Sequence, residues 1–174
     1  MVRFSFNESK TLEALVFVAR QWDGITPFYL SKVLFFADSA HLRAYGRPVT
    51  GDQYIAMVDG PVPSHAYDIV KGKWDFLGNP DAVAEALKID RDAQYPRVSA
   101  KRAPDLDLLS ETDVIALAEA IEFCRGKPFA ELSNLTHQEP AWASAPLNSE
   151  MDLELLVPEE DREEVRENAA YTIL

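Results

Sequence analysis

Cysteine and glycine are scarce in this sequence, and both scarcities narrow the chemistry that it supports. Among 174 residues there is one cysteine, Cys124, which excludes an intramolecular disulfide and a zinc site built on cysteines. The seven glycines never approach the spacing of GxGxxG or GxxxxGK, so the two commonest phosphate-binding loops are missing. HExxH and GxSxG are absent as well, which excludes the zinc peptidases and serine hydrolases that use these common motifs.

Long hydrophobic runs are also lacking. The longest, such as 33–37 and 54–58, fall far short of the roughly 18 residues that a membrane-spanning helix requires. The opening stretch MVRFSFNESK lacks the apolar core and the cleavage site of a signal peptide. A lone cysteine agrees with a reducing compartment. We therefore expect a cytoplasmic protein with no membrane partner.

Basic residues are outnumbered by acidic ones. There are 17 Lys and Arg against 29 Asp and Glu, which gives a formal net charge of −12. Such a surface repels phosphate backbones, so no direct nucleic-acid partner is expected, whereas a basic protein partner is favoured. The 47% of hydrophobic residues is enough to build the core of one ordinary domain.

Capping residues and hydrophobic spacing predict a mainly α fold with a small β element, an α+β domain; an all-α fold is the alternative. The clearest helix starts are Asn7, Thr26 with Pro27, and the capping box of Ser110 with Asp113. Further helices are expected to begin at Ser64, Asp81, Pro128 and Pro140.

The β element is predicted in two places. Turn residues flank 54–58, which predicts one strand between two constrained loops, with Gly60 and Pro61 forming a rigid turn. Segments 87–89 and 95–99 are candidates for a small hairpin.

The end of the chain differs in composition from the rest. Residues 150–174 hold nine acidic residues and two arginines, so they carry −7 of the net charge. We assign 1–149 to one domain and 150–174 to an acidic segment that extends this domain as a helix, with 158–170 as its helical part.

The three histidines lie beside carboxylates or turns. Asp38 and His41 are three residues apart and so lie on one face of a helix. They could bind a metal ion, but we favour the interpretation that they form a hydrogen-bonded pair on the helix surface. His65 is expected to pack on the preceding prolines. His137 and Glu139 are expected to hydrogen-bond helix-end carbonyls in a loop. No catalytic residue, metal or cofactor is expected.

Two segments carry a specific resemblance to a known family. They are LSKVLFFADSAHLRAYGRPVTGDQYIAMVDGPVPSHAYDIV at 30–70 and LSNLTHQEPAW at 132–142. Both resemble the Panacea domain, the family of SocA-like antitoxins and phage-associated GepA-like proteins. The residues of this motif are Lys32, Asp38, His41, Gly46, Arg47, Pro48, Gly51, Asp52, Gly60, Pro61, Tyr67, His137 and Trp142.

Scaffold roles explain much of this motif. Gly46 permits a left-handed helix end, and Pro48 stops the helix from resuming. The charged residues are expected to form one polar network that ties the second helix to the loops, an interpretation we prefer to catalysis. That network comprises Lys32, Asp38, Arg47, Asp52 and Asp68.

The resemblance implies a non-enzymatic antitoxin of a toxin–antitoxin system, which neutralises a cognate toxin by direct protein binding. In the SocA-like case it also implies an adaptor that delivers the toxin to an ATP-dependent protease. Two alternatives stay open: a metal-dependent enzyme using the His and Asp residues of the motif, and a phage-associated regulator acting through protein contacts.

The partner-binding surface is expected around the second and third helices and their joining loop. Its predicted residues are Gln53, Asp59, His65, Lys71 and Trp74.

Overall fold

The fold combines helices with two small antiparallel hairpins. It is known from a computed structural model that describes residues 1–172. The helices in this range are α1 (Glu8–Gln21), α2 (Pro27–Tyr45), α3 (Ser64–Lys71), α4 (Pro80–Ala86), α5 (Glu111–Arg125), α6 (Phe129–His137), α7 (Pro140–Ala143) and α8 (Arg162–Thr172). The strands are β1 (Tyr54–Met57), β2 (Gly60–Pro63), β3 (Leu87–Asp90) and β4 (Arg97–Ala100). The mainly α fold with a small β element is confirmed. Within residues 1–172 we find no helix with the length and apolarity needed to cross a membrane.

Helix α2 lies between two hydrophobic cores. Leu30, Val33 and Leu34 belong to the larger core, which α1 and α5 also line. Phe35 and Leu42 belong to a smaller core. Because α2 is covered on both sides, its apolar residues occupy more than one stripe of the helix.

The predicted helix caps are found at three positions. Asn7 precedes α1, and its side chain accepts a hydrogen bond from a backbone N–H in the first turn at 3.0 Å. Ser110 and Asp113 form a reciprocal capping box at the start of α5. Gly46 ends α2 in the left-handed conformation, with φ +66°. These helix boundaries are therefore set by local chemistry that the sequence displays.

The strand predicted at 54–58 is half of a hairpin. Strand β1 pairs with β2, with Tyr54 opposite Pro63 and Met57 opposite Gly60. The prediction that Gly60 and Pro61 form the turn is wrong, because the turn lies at 58–59. Within residues 1–172, β2 pairs with a strand on one edge only. Prolines are tolerated in β2 because a missing N–H on the other edge breaks no hydrogen bond of the sheet.

The second hairpin is confirmed. Strand β3 pairs with β4, with Leu87 opposite Ala100. An isolated bridge between Ile25 and Val98 connects this hairpin to the loop between α1 and α2. Helix α4 begins after Asn79, not after Asp81 as predicted.

The acidic C-terminal segment packs against the first hairpin. The backbone N–H of Met151 donates to the carbonyl of Tyr54 at 2.8 Å. Met151 and Val165 are each 1% exposed within the smaller core. The helix predicted at 158–170 is present as a 3-10 turn at Glu159–Asp161 followed by α8. The division of the chain at residue 149 stays a prediction.

Candidate functional site

Asp38 holds the loop after α2 in place. Its Oδ1 accepts hydrogen bonds from the backbone N–H groups of Val49 at 2.8 Å and Thr50 at 3.0 Å. Its Oδ2 accepts the hydroxyl protons of Thr50 at 2.6 Å and Tyr54 at 2.8 Å. Burial raises the pKa of this carboxyl, and the same hydrogen bonds oppose that rise. The expected surface pair of Asp38 with His41 is wrong, because both side chains are buried and bind other groups.

His41 connects α2 to α5. Its Nδ1 lies 2.7 Å from the carbonyl oxygen of Arg47, so Nδ1 carries the proton and donates. Its Nε2 lies 2.9 Å from the hydroxyl of Thr112. Burial lowers the pKa of His41, which favours the neutral ring that accepts from Thr112. Both ring nitrogens of His41 therefore bind groups of the protein itself.

Asp113 is the centre of an ionic cluster that also reaches His41, whose Nε2 lies 3.3 Å from its carboxylate. Its carboxylate lies 2.8 Å from Lys10 Nζ and 3.2 Å from a guanidinium nitrogen of Arg47. Burial raises the pKa of Asp113, but the hydrogen bonds from Lys10 and Ser110 outweigh it, and the pKa falls below its ordinary value. Asp68 lies elsewhere, 3.5 Å from Lys73. The hydroxyl of Thr50 links Asp38 to Asp52, because it donates to the carboxylate of Asp38 and accepts from the backbone N–H of Asp52. The expected single network is nevertheless wrong, because Lys32, Arg47 and Asp68 bind other groups.

Asp52 caps α3 from outside the helix. Its Oδ1 accepts from the backbone N–H and from Nδ1 of His65, at 3.0 and 2.7 Å. Its Oδ2 accepts from the backbone N–H of Ala66 at 2.8 Å. Ser64 is the first residue of α3 and not its cap as predicted. His65 stacks on Phe6, with ring centroids 4.3 Å apart, and does not rest on the prolines as expected.

The ion pair of His65 with Asp52 makes stability depend on pH. The hydrogen bond to Asp52 raises the pKa of His65 above its ordinary value. The stabilisation that this ion pair adds to the folded state is therefore complete below about pH 6.5. It disappears as the pH rises through the pKa that His65 has in the folded protein. We expect the unfolding midpoint to decrease less between pH 6 and pH 8 in His65→Gln than in the wild type. Equal losses in the two proteins would contradict this account, since other titrating groups are common to both.

The segment of α6 and α7 supports the first hairpin. The ring of His137 stacks on Trp142 with centroids 3.8 Å apart. Trp142 Nε1 donates to the carbonyl of Met57 at 3.1 Å. Glu139 pairs with Arg43 at 2.7 Å, not with helix-end carbonyls. Within residues 1–172 no group of three or more His, Cys, Asp or Glu side chains is placed to hold a metal ion.

A groove of about 870 Å³ opens beside this scaffold. It lies between the start of α2, the turn of the first hairpin, the end of α3, the segment at 91–96 and the start of α6. Its aromatic and aliphatic walls include Phe28, Tyr29, Val62, Tyr67, Tyr95 and Phe129. Its charged lining residues are Lys32, Asp59, Lys71 and Arg91.

Lys32 is buried along this groove, with 1% of its surface exposed. Its Nζ donates to the carbonyl of Pro61 at a long 3.4 Å and lies 4.9 Å from the ring centroid of Phe28. Burial lowers the pKa of Lys32 to about 8, although the charge of Asp59 partly opposes this shift. At pH 7 the groove therefore contains a buried ammonium group with few acceptors.

A known protein family matches more than half of this chain. The family model of the antitoxin SocA-like, Panacea domain matches residues 30–143. The chain belongs to this family. No curated protein and no solved structure matches it. The Panacea match covers most of α2, both hairpins and the helices through α7, and it contains every charged residue of the groove.

The structure of this Panacea-domain chain places two of the five predicted partner-binding residues in the lining of the groove. Asp59 and Lys71 line it. His65 is held by Asp52, as described above. Gln53 stands just before β1, where its carbonyl accepts from the N–H of Ser64. Trp74 packs against the larger core and donates from Nε1 to the carbonyl of Ile69 at 2.8 Å. The partner-binding role of all five stays a prediction.

Sequence reasoning missed several residues of the Panacea groove. Phe28 and Phe129 begin α2 and α6, and their rings lie 4.2 Å apart between centroids. Tyr95 is 63% exposed, in a stretch where the sequence pattern is weak. An aromatic residue directly after the proline that opens a helix, found at both Phe28 and Phe129, is the one signal that could have singled out a shared surface.

Gly60 is the position where a small change is expected to disturb the Panacea groove most. It has φ +106°, and an added Cβ would lie 2.5 Å from Lys32 Nζ and would also contact Thr136. We expect Gly60→Ala to lower the free energy of unfolding by at least about 2 kcal/mol in chemical denaturation. Gly126→Ala is the matched control, because its Cβ would meet no atom within 4 Å. Equal stabilities of the two variants would contradict the packing described for Lys32.

Proposed function

We propose that this Panacea-domain protein is a non-enzymatic antitoxin that neutralises a cognate toxin by direct protein binding. Membership of the SocA-like antitoxin family supports a role in a toxin–antitoxin system. The observation that carries the proposal of direct binding is the groove, with its aromatic walls and its rim of exposed apolar side chains. We further propose a cytoplasmic location, which agrees with a single cysteine, Cys124, that is buried.

The rim of the groove has the composition of a protein-binding surface. Val58, Tyr95 and Phe129 are 68%, 63% and 46% exposed, and all three line the groove. Aromatic side chains in clustered, concave positions contribute most of the energy in many protein interfaces. The net charge of −12 adds a long-range attraction for a basic toxin.

The experiment is co-expression with the product of the neighbouring open reading frame. We expect that product alone to arrest growth and the wild-type chain to relieve the arrest. A double variant, Val58→Asp with Tyr95→Asp, should fail to relieve it. The matched control is Leu106→Asp with Leu147→Asp, which changes residues that are 53% and 57% exposed and lie outside the groove lining.

Each outcome of this experiment bears on the proposal. Relief by the wild type and by the control variant, but not by the groove variant, supports neutralisation through the groove. Arrest without relief by the wild type would contradict the antitoxin role. Equal relief by both double variants would leave the antitoxin role standing and contradict the use of the groove.

The second part of the proposal is that the antitoxin acts as an adaptor for proteolysis. If it does, the half-life of the toxin in cells should shorten when the antitoxin is present and should recover when the ATP-dependent protease is deleted. An unchanged half-life together with relief of arrest would support binding alone.

A further inference from the structure

The groove reverses the charge of the protein locally. Three cationic side chains, Lys32, Lys71 and Arg91, line it together with one carboxylate, Asp59. The chain as a whole has a net charge of −12. These three cations attract an anionic group into the groove at short range, whereas the rest of the acidic surface repels one.

Among the three cations of the groove, Lys32 is the buried one. Its ammonium group has three N–H donors. Within residues 1–172 its one hydrogen-bond acceptor is the carbonyl of Pro61, at 3.4 Å, and no carboxylate lies within ion-pair distance. Behind it, burial raises the pKa of the Cys124 thiol to about 12, so the thiol gives no negative charge near pH 7. A buried charge that lacks a counter-ion is costly, and a carboxylate brought by a partner relieves that cost.

The other two cations are held beside the groove with donors to spare. Lys71 Nζ lies 4.9 Å from the ring centroid of Tyr67. Arg91 donates one hydrogen bond, from Nη2 to the carbonyl of Val70 at 3.5 Å. Both residues are exposed, so they attract an anion at the entrance, whereas Lys32 meets it among apolar walls.

We infer, on the basis of the proposed antitoxin function, that the groove binds an apolar segment of the toxin that carries a carboxylate, and that this carboxylate pairs with Lys32. Aromatic or aliphatic side chains of the segment fill the space between Phe28, Tyr67 and Tyr95. The bound segment covers the ion pair and excludes water from it, which strengthens the attraction.

The exposed apolar rim of the groove, and not its volume, favours a protein segment over a metabolite. Its volume of about 870 Å³ lies near the upper end of small-molecule sites, which span roughly 300 to 1,000 Å³. Exposed Val58, Tyr95 and Phe129 continue the apolar surface at its rim. A segment of a larger partner can cover this rim, whereas a small molecule leaves it exposed.

The pairing gives binding a defined pH dependence. The titratable and charged groups around Lys32 are Asp59, Lys71, Arg91, Tyr29, Tyr67, Tyr95 and Cys124. Burial lowers the pKa of Lys32 to about 8, so its positive charge is lost as the pH rises through this value. A carboxylate binds its protonated form, so affinity is expected to fall above about pH 8, approaching tenfold per pH unit.

The test is calorimetric titration of the purified neighbouring gene product into the full chain at pH 7 and pH 9. We expect Lys32→Met to weaken binding at pH 7 by at least about tenfold, and to lose most of the pH dependence seen in the wild type. Lys88→Met is the matched control, because Lys88 is exposed on β3, outside the groove lining. Thermal unfolding of Lys32→Met verifies that the variant folds.

Different results would refute the pairing with Lys32, the proposed function, or a protein segment as the occupant of the groove. If Lys32→Met binds as tightly as the wild type, with the same dependence on pH, the pairing is refuted while growth relief still supports the antitoxin. If the gene product is not toxic, the proposed function fails on its own experiment. In a second titration, 3-phenylpropionate should compete with the gene product and 3-phenylpropionamide should not. Binding of 3-phenylpropionate without competition would mean a small-molecule site and would overturn the inference.

Discussion

Replacing Asp38 with alanine is expected to lower the free energy of unfolding by about 4 kcal/mol, because two backbone N–H groups and two hydroxyls lose a buried acceptor. Asp38→Asn should cost less, since its carbonyl still accepts and the hydroxyls of Thr50 and Tyr54 can rotate to donate elsewhere or to accept. Chemical denaturation followed by tryptophan fluorescence measures both variants.

The neighbouring residue supplies the control for Asp38. Ser39 is equally buried, and among residues 1–172 its hydroxyl has no hydrogen-bond partner. We expect Ser39→Ala to change the stability by no more than about 0.5 kcal/mol or to raise it, because no hydrogen bond is lost. If Asp38→Ala cost no more than Ser39→Ala, the role of Asp38 in holding the loop would be refuted.

The second large effect concerns the buried charge of Lys32. Its pKa is about 8 in the folded protein and about 10.5 when unfolded, so the unfolded chain binds more protons between these values. Stability from this group therefore rises with pH through that window, and the charged form carries a cost on the order of 3 kcal/mol at pH 7. Lys32→Met removes the charge and keeps similar length, so it should be more stable than the wild type at neutral pH.

The comparison that isolates this effect is the stability difference between Lys32→Met and the wild type at pH 7 and at pH 9.5. We expect a difference in favour of the variant that shrinks at the higher pH. The buried Tyr54, whose pKa is raised by burial, is present in both proteins and cancels. A difference that stays constant with pH would contradict the assignment of a depressed pKa to Lys32.

Local sequence signals predicted the helices well because their ends carry side-chain chemistry. At two helix starts, nearby side chains accept hydrogen bonds from backbone N–H groups: Asn7 at α1, and Ser110 with Asp113 at α5. Gly46 ends α2 through its own backbone conformation. The second hairpin could also be predicted, since β3 and β4 are separated by a short loop. In these cases the deciding interactions are close in sequence.

The candidate site was harder to predict because its deciding contacts are distant in sequence. The cap of α3 is Asp52, which lies twelve residues before the helix and not at Ser64. Met151 pairs with Tyr54 across nearly a hundred residues, so the place of the acidic segment in a core could not be inferred from its charge. The groove combines helix starts, a hairpin turn and a weakly patterned segment, and only the folded chain brings these together.

The family motif and the groove consist largely of different residues. The motif marks residues that are mostly buried and structural, such as Asp38 and Gly60. Most of the groove residues, including Val58, Tyr95 and Phe129, lie outside the set of motif residues. We therefore base the proposed interface on the exposed rim of Val58 and Tyr95 and on the buried Lys32, and not on the motif as a whole.

The central claim is that the toxin binds in the groove. The most direct measurement is amide hydrogen exchange of the full chain, alone and in complex with the neighbouring gene product. We predict slowed exchange at the turn of the first hairpin, 58–59, and in the segment 91–95, with little change in α8. Unchanged exchange in both groove segments, with protection of α8 or of α1 instead, would contradict the account and move the interface to another face of the protein.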